Sequence, residues 1–164
     1  MKIAKIYVDM DGVLCNFEKR YEERYGKLDE KSRKTNFRSN FDDFIKTKQF
    51  ATLEPMPDFK HLVAYLTSLR GIPKEILSST AYEETYEEIK GQKEKWLHDH
   101  NIMWPANFVP GKRHKYKFAT PDSIIIDDTY SVIEDWNKAG GIGIWHKDAN
   151  STILQLATIL TMAK

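Results

Sequence analysis

The stretch Ile3-Ala4-Lys5-Ile6-Tyr7-Val8-Asp9-Met10-Asp11-Gly12 joins an apolar run to two carboxylates and a glycine. The apolar run predicts a strand that is buried in a sheet. Because a strand buried on both faces tolerates such a pair of charges poorly, we expect Asp9 and Asp11 just beyond its end. They then lie at the carboxyl edge of the sheet, where open α/β sheets bind their ligands.

Two carboxylates at one strand end have two chemical uses. They can hold a hard divalent cation, or they can divide into a nucleophile and a proton donor. The alternative interpretation is a simple turn after the strand, since Asp-Gly is a common turn pair. The rest of the chain has to decide between these interpretations.

The composition limits the classes of protein. The chain has 164 residues, of which 41% are hydrophobic and 30% charged, and these values predict one soluble domain with a small insertion. A net charge of +1 provides no global attraction to nucleic acid or to a membrane. A single cysteine, Cys15, excludes an internal disulfide. With no membrane-length apolar stretch and no signal-peptide pattern, we expect a cytoplasmic protein.

Apolar runs and helical stripes alternate along the chain. The further strands are predicted at Glu75-Ile76-Leu77, Phe108-Val109, Ser123-Ile124-Ile125-Ile126 and Ile142-Gly143-Ile144-Trp145. This alternation predicts an α/β fold: a Rossmann-like parallel five-stranded sheet with helices on both faces. Residues 16–58 are predicted to form a small helical cap inserted after the first strand, with the core at 1–15 and 59–164. An insertion of this length can act as a lid over the carboxyl edge.

A long helix is predicted from Tyr82 to His100. Its apolar stripe consists of Tyr82, Tyr86, Ile89, Trp96 and Leu97. Its first turn is acidic, and its later turns carry Lys90, Lys93 and Lys95, a polarity that suits the helix dipole. We therefore interpret these lysines as part of the helix's favourable charge pattern.

Polar side chains follow three of the predicted strands. The three sets are Asp9 with Asp11, Ser78 with Ser79, and Asp127 with Asp128. Acidic groups that share a site repel one another unless a cation neutralises them. Ligand sets made only of oxygen favour Mg²⁺, which commonly completes its shell with substrate phosphate. We expect a phosphorylated ligand, with a serine hydroxyl and Lys117 as hydrogen-bond donors to it.

Two of these assignments have close alternatives. The strand-end position favours Ser78 over Ser79 as the phosphate ligand. The basic residue of the site is expected to be Lys117, with Lys115 as its alternative. The alternative for the whole basic stretch from Lys112 to Lys117 is a solvated loop.

The order of these motifs resembles the haloacid dehalogenase-like (HAD) hydrolase superfamily over essentially the whole chain. The four motifs are Asp9-Met10-Asp11-Gly12-Val13, Ile76-Leu77-Ser78, Lys117, and Ile125-Ile126-Asp127-Asp128. Each motif alone is a weak signal, but all four in order after predicted strands form a specific one. The resemblance also implies that the first and fourth strands are neighbours in the sheet.

The resemblance implies a role for each motif. Asp9 is expected to be the nucleophile that forms an aspartyl-phosphate, and Asp11 the residue that protonates the leaving oxygen and then activates water. Mg²⁺ is expected to bind the Asp9 carboxylate, the Asp11 backbone carbonyl and Asp127. Asp128 is expected to support or complete this metal site. Ser78 and Lys117 are expected to hold the phosphoryl oxygens. Lys117 is preferred over Lys115 because it lies ten residues before Asp127, the spacing that the resemblance suggests.

A closer resemblance is to the 5′(3′)-deoxyribonucleotidases. It is carried by the segment Asp9 to Phe17 and by Phe50-Ala51-Thr52-Leu53-Glu54-Pro55-Met56-Pro57. It implies that Phe17 and Phe50 line a base pocket, where stacking is worth about 1–3 kcal/mol per base. The alternative is that Phe17 and Phe50 only pack the cap on the core.

The leading prediction is a Mg²⁺-dependent phosphatase of nucleotide metabolism, a 5′-nucleotidase acting on (deoxy)nucleoside monophosphates. The expected partner is therefore a small phosphomonoester, without a membrane or a stable nucleic-acid partner, and the protein is expected to be a monomer or homodimer. The alternatives are a nucleic-acid 3′-end phosphatase, another small-molecule phosphatase, and a catalytically silent module that binds a nucleotide or phosphate.

Overall fold

The computed structural model, which describes residues 1–163, contains one sheet of five parallel strands. The strands are β1 (Lys5–Val8), β2 (Lys74–Ser79), β3 (Ala106–Val109), β4 (Ser123–Asp127) and β5 (Ile142–Trp145). Their spatial order is β3-β2-β1-β4-β5, and every neighbouring pair is parallel. The predicted fold class is confirmed. The order reverses between β1 and β4, so this pair forms the switch point at which ligands bind in such sheets.

Seven α-helices and two 3-10 helices surround the sheet in the described residues. The α-helices are α1 (Phe17–Tyr25), α2 (Glu30–Thr35), α3 (Phe37–Lys46), α4 (Phe59–Ser68), α5 (Tyr86–Asp99), α6 (Tyr130–Lys138) and α7 (Ala149–Met162). The 3-10 helices cover Gln49–Thr52 and Lys112–Phe118. Within residues 1–163, no helix combines the length and apolar character needed to cross a membrane.

Two elements differ from their predicted form. Helix α5 begins at Tyr86 instead of Tyr82, because the chain turns at Ala81, whose φ is +66°, and Thr85 donates its hydroxyl to the Thr80 carbonyl. The basic stretch is a 3-10 helix and not a solvated loop, and this difference determines which of its lysines reaches the site.

Alternate residues of β1 contact two separate hydrophobic clusters. Ile6 and Val8 belong to the larger cluster, and Tyr7 belongs to a smaller one with Ile125 and Trp136. Successive side chains of a strand point to opposite faces of a sheet. Both faces of the sheet are therefore covered, which explains why the strands read as continuous apolar runs.

The insertion after β1 is packed around a cluster of aromatic rings. Phe44 is fully buried, and its ring centroid lies 5.0 Å from that of Phe17 and 4.9 Å from that of Phe50. These rings belong to the same hydrophobic cluster as Leu62 and Trp96 of the core. Because the insertion and the core share this cluster, the division at residues 16–58 stays a prediction.

Helix α5 fastens the insertion to the core by hydrogen bonds. Trp96 donates its indole N–H to the Leu53 carbonyl at 2.8 Å. Gln92 donates to the Ile45 carbonyl at 2.9 Å and accepts from the Phe50 backbone N–H at 3.1 Å. The end of the insertion that contains Ile45, Phe50 and Leu53 is therefore held against α5 by hydrogen bonds as well as by packing.

Phe44→Ala is expected to lower the free energy of unfolding by about 3–5 kcal/mol, because it opens a cavity among the packed rings. Urea denaturation measures this change. Leu154→Ala is the matched control on an exposed face of α7 and should change stability by less than about 0.5 kcal/mol. Equal effects for the two variants would contradict the packing described for the insertion.

Candidate active site

The chain turns sharply where β1 ends. The Asp9 N–H still bonds to β4, donating to the Ile126 carbonyl at 3.0 Å. The Met10 carbonyl then accepts three backbone N–H groups, from Val13, Leu14 and Cys15. The sequence left a turn and a functional site as alternatives, and the structure contains a turn that carries the carboxylates to the sheet edge.

Gly12 is required at this turn for two reasons. Its φ of +82° lies in the region that disfavours residues with a side chain. A Cβ atom at this position would also lie 1.9 Å from Oδ2 of Asp128. The loop after β1 and the end of β4 therefore approach each other as closely as a glycine permits.

Three carboxylates meet at the ends of β1 and β4. Oxygen atoms of Asp9, Asp127 and Asp128 lie within 4.8 Å of one another. Asp9 and Asp127 are buried, and Asp128 is exposed on the wall of a cavity. The Asp11 carboxylate lies outside this group. The expected contact of Asp11 with a metal is through its backbone carbonyl, and this contact stays a prediction.

Lys115 is the cation of this cluster. It is 2% exposed, and its ammonium donates to Asp9 Oδ1 at 2.9 Å and to Asp127 Oδ2 at 2.7 Å. Lys117, the predicted residue, is exposed, and its Nζ lies 3.1 Å from Nδ1 of His114. In a 3-10 helix each residue advances by about 120°, so side chains two positions apart leave it in different directions. The structure therefore assigns to Lys115 the place predicted for Lys117.

The charges of the cluster are only partly balanced. Burial raises the pKa of Asp127 to about 6, and the charge of Asp9 adds to this effect. Desolvation by surrounding protein, followed by the charges of Asp9 and Asp127, raises the pKa of Asp128 to about 8. Burial alone would lower the pKa of Lys115, but Asp9 and Asp127 raise it above its ordinary value. The Lys115 ammonium pairs with only two of the three acidic groups, and a further cation would relieve the repulsion among them.

Ser78 and Ser79 separate into different environments at the end of β2. Ser78 is fully buried, and its hydroxyl accepts from the Lys93 ammonium at 2.8 Å. Ser79 lies on the cavity wall, and its hydroxyl oxygen accepts from the Ala81 N–H at 3.0 Å. Because successive strand residues point to opposite sides, only one can face the ligand. The geometry favours Ser79, whereas the strand-end argument favoured Ser78.

Lys93 is the residue that the sequence argument missed. It is 2% exposed, and its ammonium donates to Asp11 Oδ2 at 2.9 Å and to the Ser79 carbonyl at 2.8 Å, in addition to Ser78. The sequence does contain a sign that Lys93 is buried, because Ile89, Lys93 and Trp96 follow one another at helical spacing on one face of α5. A lysine in the middle of an apolar stripe indicates a buried ion pair and not a dipole effect.

A cavity of about 730 Å³ opens above these groups, lined by Asp9, Asp11, Ser79, Lys115 and Asp128. Aromatic side chains form another part of its wall: Phe17, Phe37, Phe41, Phe50 and Tyr82. The predicted pair is present, with Phe17 stacked on Phe50 at a centroid distance of 5.7 Å and an interplanar angle of 13°. These two rings both line the cavity and pack the insertion, with Phe50 buried, and their role in a base pocket stays a prediction.

Two buried polar atoms of cavity residues have no hydrogen-bond partner within residues 1–163. They are Asp11 Oδ1 and Nε2 of His146, whose Nδ1 lies 2.7 Å from the Thr152 hydroxyl. Burial lowers the pKa of His146, which favours the neutral imidazole. Buried polar atoms are ordinarily paired, so the lack of a partner is unusual for both of these atoms.

Comparison with known proteins relates this architecture to solved structures. No protein-family model and no curated protein matches the chain. It is similar to a D,D-heptose 1,7-bisphosphate phosphatase from Burkholderia thailandensis, with 9% identity, a TM-score of 0.56 and coverage of 94% of this chain and 99% of that chain.

Two further structures are similar over most of their length. The HAD hydrolase YfnB from Bacillus subtilis, solved with magnesium, is 11% identical, with a TM-score of 0.55 and coverage of 98% of this chain and 99% of that one. A haloacid dehalogenase-like hydrolase, SP0104 from Streptococcus pneumoniae, is 15% identical, with a TM-score of 0.53 and coverage of 93% and 90%. The chain therefore has the fold of the haloacid dehalogenase-like hydrolases.

Proposed function

We propose that the protein is a Mg²⁺-dependent phosphomonoester hydrolase that acts through an aspartyl-phosphate. One observation carries the proposal: two carboxylates on one short loop have different ammonium partners. Asp9 pairs with Lys115, and Asp11 pairs with Lys93. Titratable groups in different environments can take different roles in one reaction.

The proposed reaction has two steps. In the first, an Asp9 carboxylate oxygen forms a bond to phosphorus, the bond to the leaving oxygen breaks, and Asp11 gives that oxygen a proton. In the second, Asp11 takes a proton from water, whose oxygen attacks phosphorus and releases phosphate and the Asp9 carboxylate. Lys115 and Ser79 would donate hydrogen bonds to the phosphoryl oxygens as negative charge develops on them.

The acidic cluster fits a magnesium ion. Carboxylate oxygens of Asp9, Asp127 and Asp128 lie close enough together to share a cation, and the set contains no sulfur or nitrogen ligand. The Asp11 backbone carbonyl is the further ligand that we propose. When bound, Mg²⁺ would neutralise charge on the carboxylates and the phosphoryl group.

Asp128→Asn is expected to stabilise the metal-free protein at pH 7. Because the fold raises the pKa of Asp128 to about 8, folding at this pH costs free energy that an amide avoids. A gain of about 1 kcal/mol would raise the midpoint of thermal unfolding by about 2–4 °C. The same variant should lose most of the stabilisation that Mg²⁺ gives the wild type. Thermal unfolding in EDTA and in Mg²⁺ measures both effects, with Asp135→Asn on the exposed face of α6 as the control. Equal stabilisation of all three proteins by Mg²⁺ would contradict the assigned metal ligands.

Lys115→Met should lower kcat by about 100- to 1000-fold, because it removes the charge beside Asp9 and the phosphoryl oxygens. Lys117→Met, two residues away and exposed, should stay close to the wild-type rate. Release of phosphate from p-nitrophenyl phosphate measures both, and Asp9→Asn should abolish it. If Lys117→Met loses as much activity as Lys115→Met, the placement of the cation in the site is wrong.

The proposed substrates are nucleoside 5′-monophosphates. The cavity has the size of a small-molecule site, and its aromatic wall offers faces on which a base can stack. Tyr82 is the most accessible of these rings; Arg38 lies 4.4 Å from its centroid and Phe41 packs against its edge. We infer that Tyr82 contributes to holding the base, together with the predicted pair Phe17 and Phe50.

Tyr82→Ala should raise KM for a nucleoside monophosphate about 10-fold, the loss expected from one stacking contact. The KM of a sugar phosphate without a base should not change. Tyr130→Ala, which removes an exposed tyrosine outside the cavity, is the matched control. Equal KM changes for both substrates would remove the support for nucleotides.

A second candidate substrate is a 3′-phosphorylated nucleic-acid end. Four exposed basic residues line the same cavity: Arg33, Lys112, Arg113 and Lys147. Faster turnover of 3′-phosphorylated oligonucleotides than of mononucleotides, with a steep dependence on salt, would favour this candidate. Ligand binding without any phosphate release would instead indicate a silent binding module.

A further inference from the structure

We propose that Lys93 is the positioning residue for the proton carrier Asp11. This inference rests on the proposed phosphatase function and concerns a residue outside the four motifs. Lys93 comes from the middle of α5, and its ammonium lies in the buried space between the β1 loop and the end of β2. No other ammonium in the described part of the chain contacts Asp11.

The hydrogen bonds of Lys93 leave it no capacity to bind substrate directly. An ammonium has three donors, and here they go to the Ser78 hydroxyl, the Ser79 carbonyl and Asp11 Oδ2. Its Nζ also lies 5.2 Å from the ring centroid of Phe50. Two of the three bonds anchor the ammonium to the rigid end of β2, and the third holds the carboxylate.

This arrangement makes the two oxygens of Asp11 unequal. Oδ2 is fixed by Lys93, whereas Oδ1 is buried and has no partner within residues 1–163. Asp11 itself lines the cavity. Because a carboxylate is planar, fixing one oxygen restricts the whole group, so Lys93 sets the orientation in which the Asp11 carboxyl exchanges a proton with the leaving group and with water. A proton carrier has to lie within hydrogen-bond reach of both.

The test compares leaving groups that need a proton to different extents. An alkyl phosphate expels a strongly basic alkoxide and depends on the acid, whereas p-nitrophenyl phosphate expels a stable phenolate without one. In Lys93→Met, we expect kcat for the alkyl phosphate to fall about 100-fold, with little change in KM. Lys90→Met, one turn earlier on α5, is the matched control and should behave as the wild type.

For p-nitrophenyl phosphate, we expect Lys93→Met to show a smaller fall and a burst. The first step needs no acid, so one equivalent of nitrophenolate should appear rapidly, followed by slow turnover limited by hydrolysis of the aspartyl-phosphate. Equal losses for both substrates without a burst would reduce Lys93 to a structural residue. A rise in KM with unchanged kcat would mean that it binds substrate. Either result overturns the inference.

A second variant and the activity of the wild type separate a folding defect from a failure of the inference. If Lys93→Met does not fold, as judged by circular dichroism, Ser78→Ala removes one anchor of the ammonium and should show the same dependence on leaving group to a smaller extent. Equal losses for both substrates in Ser78→Ala would again overturn the inference. Failure of the wild type to hydrolyse any phosphomonoester would instead overturn the proposed function, and this inference with it.

Discussion

The ion cluster of Lys115 with Asp9 and Asp127 is the interaction on which the rest of the structure depends. Two carboxylates lie buried at the ends of neighbouring strands, an arrangement that is strongly destabilising unless a cation is paired with them. The pairing requires β1 beside β4, the 3-10 helix before β4, and a glycine where the two chain segments approach. The same cluster is the part of the molecule that would bind a phosphoryl group, so stability and proposed chemistry share one set of charges.

Helix α5 provides the second support of the site. Within one stretch of its buried face, Gln92 bonds to the insertion, Lys93 holds Asp11, and Trp96 bonds to the segment that returns to the core. The position of the proposed proton carrier is therefore linked to the seating of the insertion that walls the cavity. A substitution that loosens the insertion should therefore also disturb the position of Asp11 through this helix.

The strands and the acidic residues could be predicted because apolar runs and strand-end carboxylates are local patterns. That the first and fourth strands are neighbours was implied only by the family resemblance. The choices between neighbouring residues could not be predicted. Lys115 and Lys117 differ only in their direction around a 3-10 helix, and Ser78 and Ser79 only in the face of β2 on which they lie. The position of Lys93 along α5 suggests an interaction with the helix dipole, whereas its position around the helix places it on the buried face with Ile89 and Trp96. In each case a rotation about one element decides which side chain enters the site.

By itself, the sequence determined the class of fold, the five strands and the carboxylates at the ends of β1 and β4, because burial dictates periodicity and charge is excluded from the core. Only the tertiary structure decided which cation neutralises which carboxylate. Lys93 and Lys115 lie 82 and 106 residues from the carboxylates that they hold, Asp11 and Asp9. Those pairs form because α5 and the 3-10 helix before β4 pack beside the sheet edge at which β1 ends, and the spacing of residues along the chain does not specify that packing.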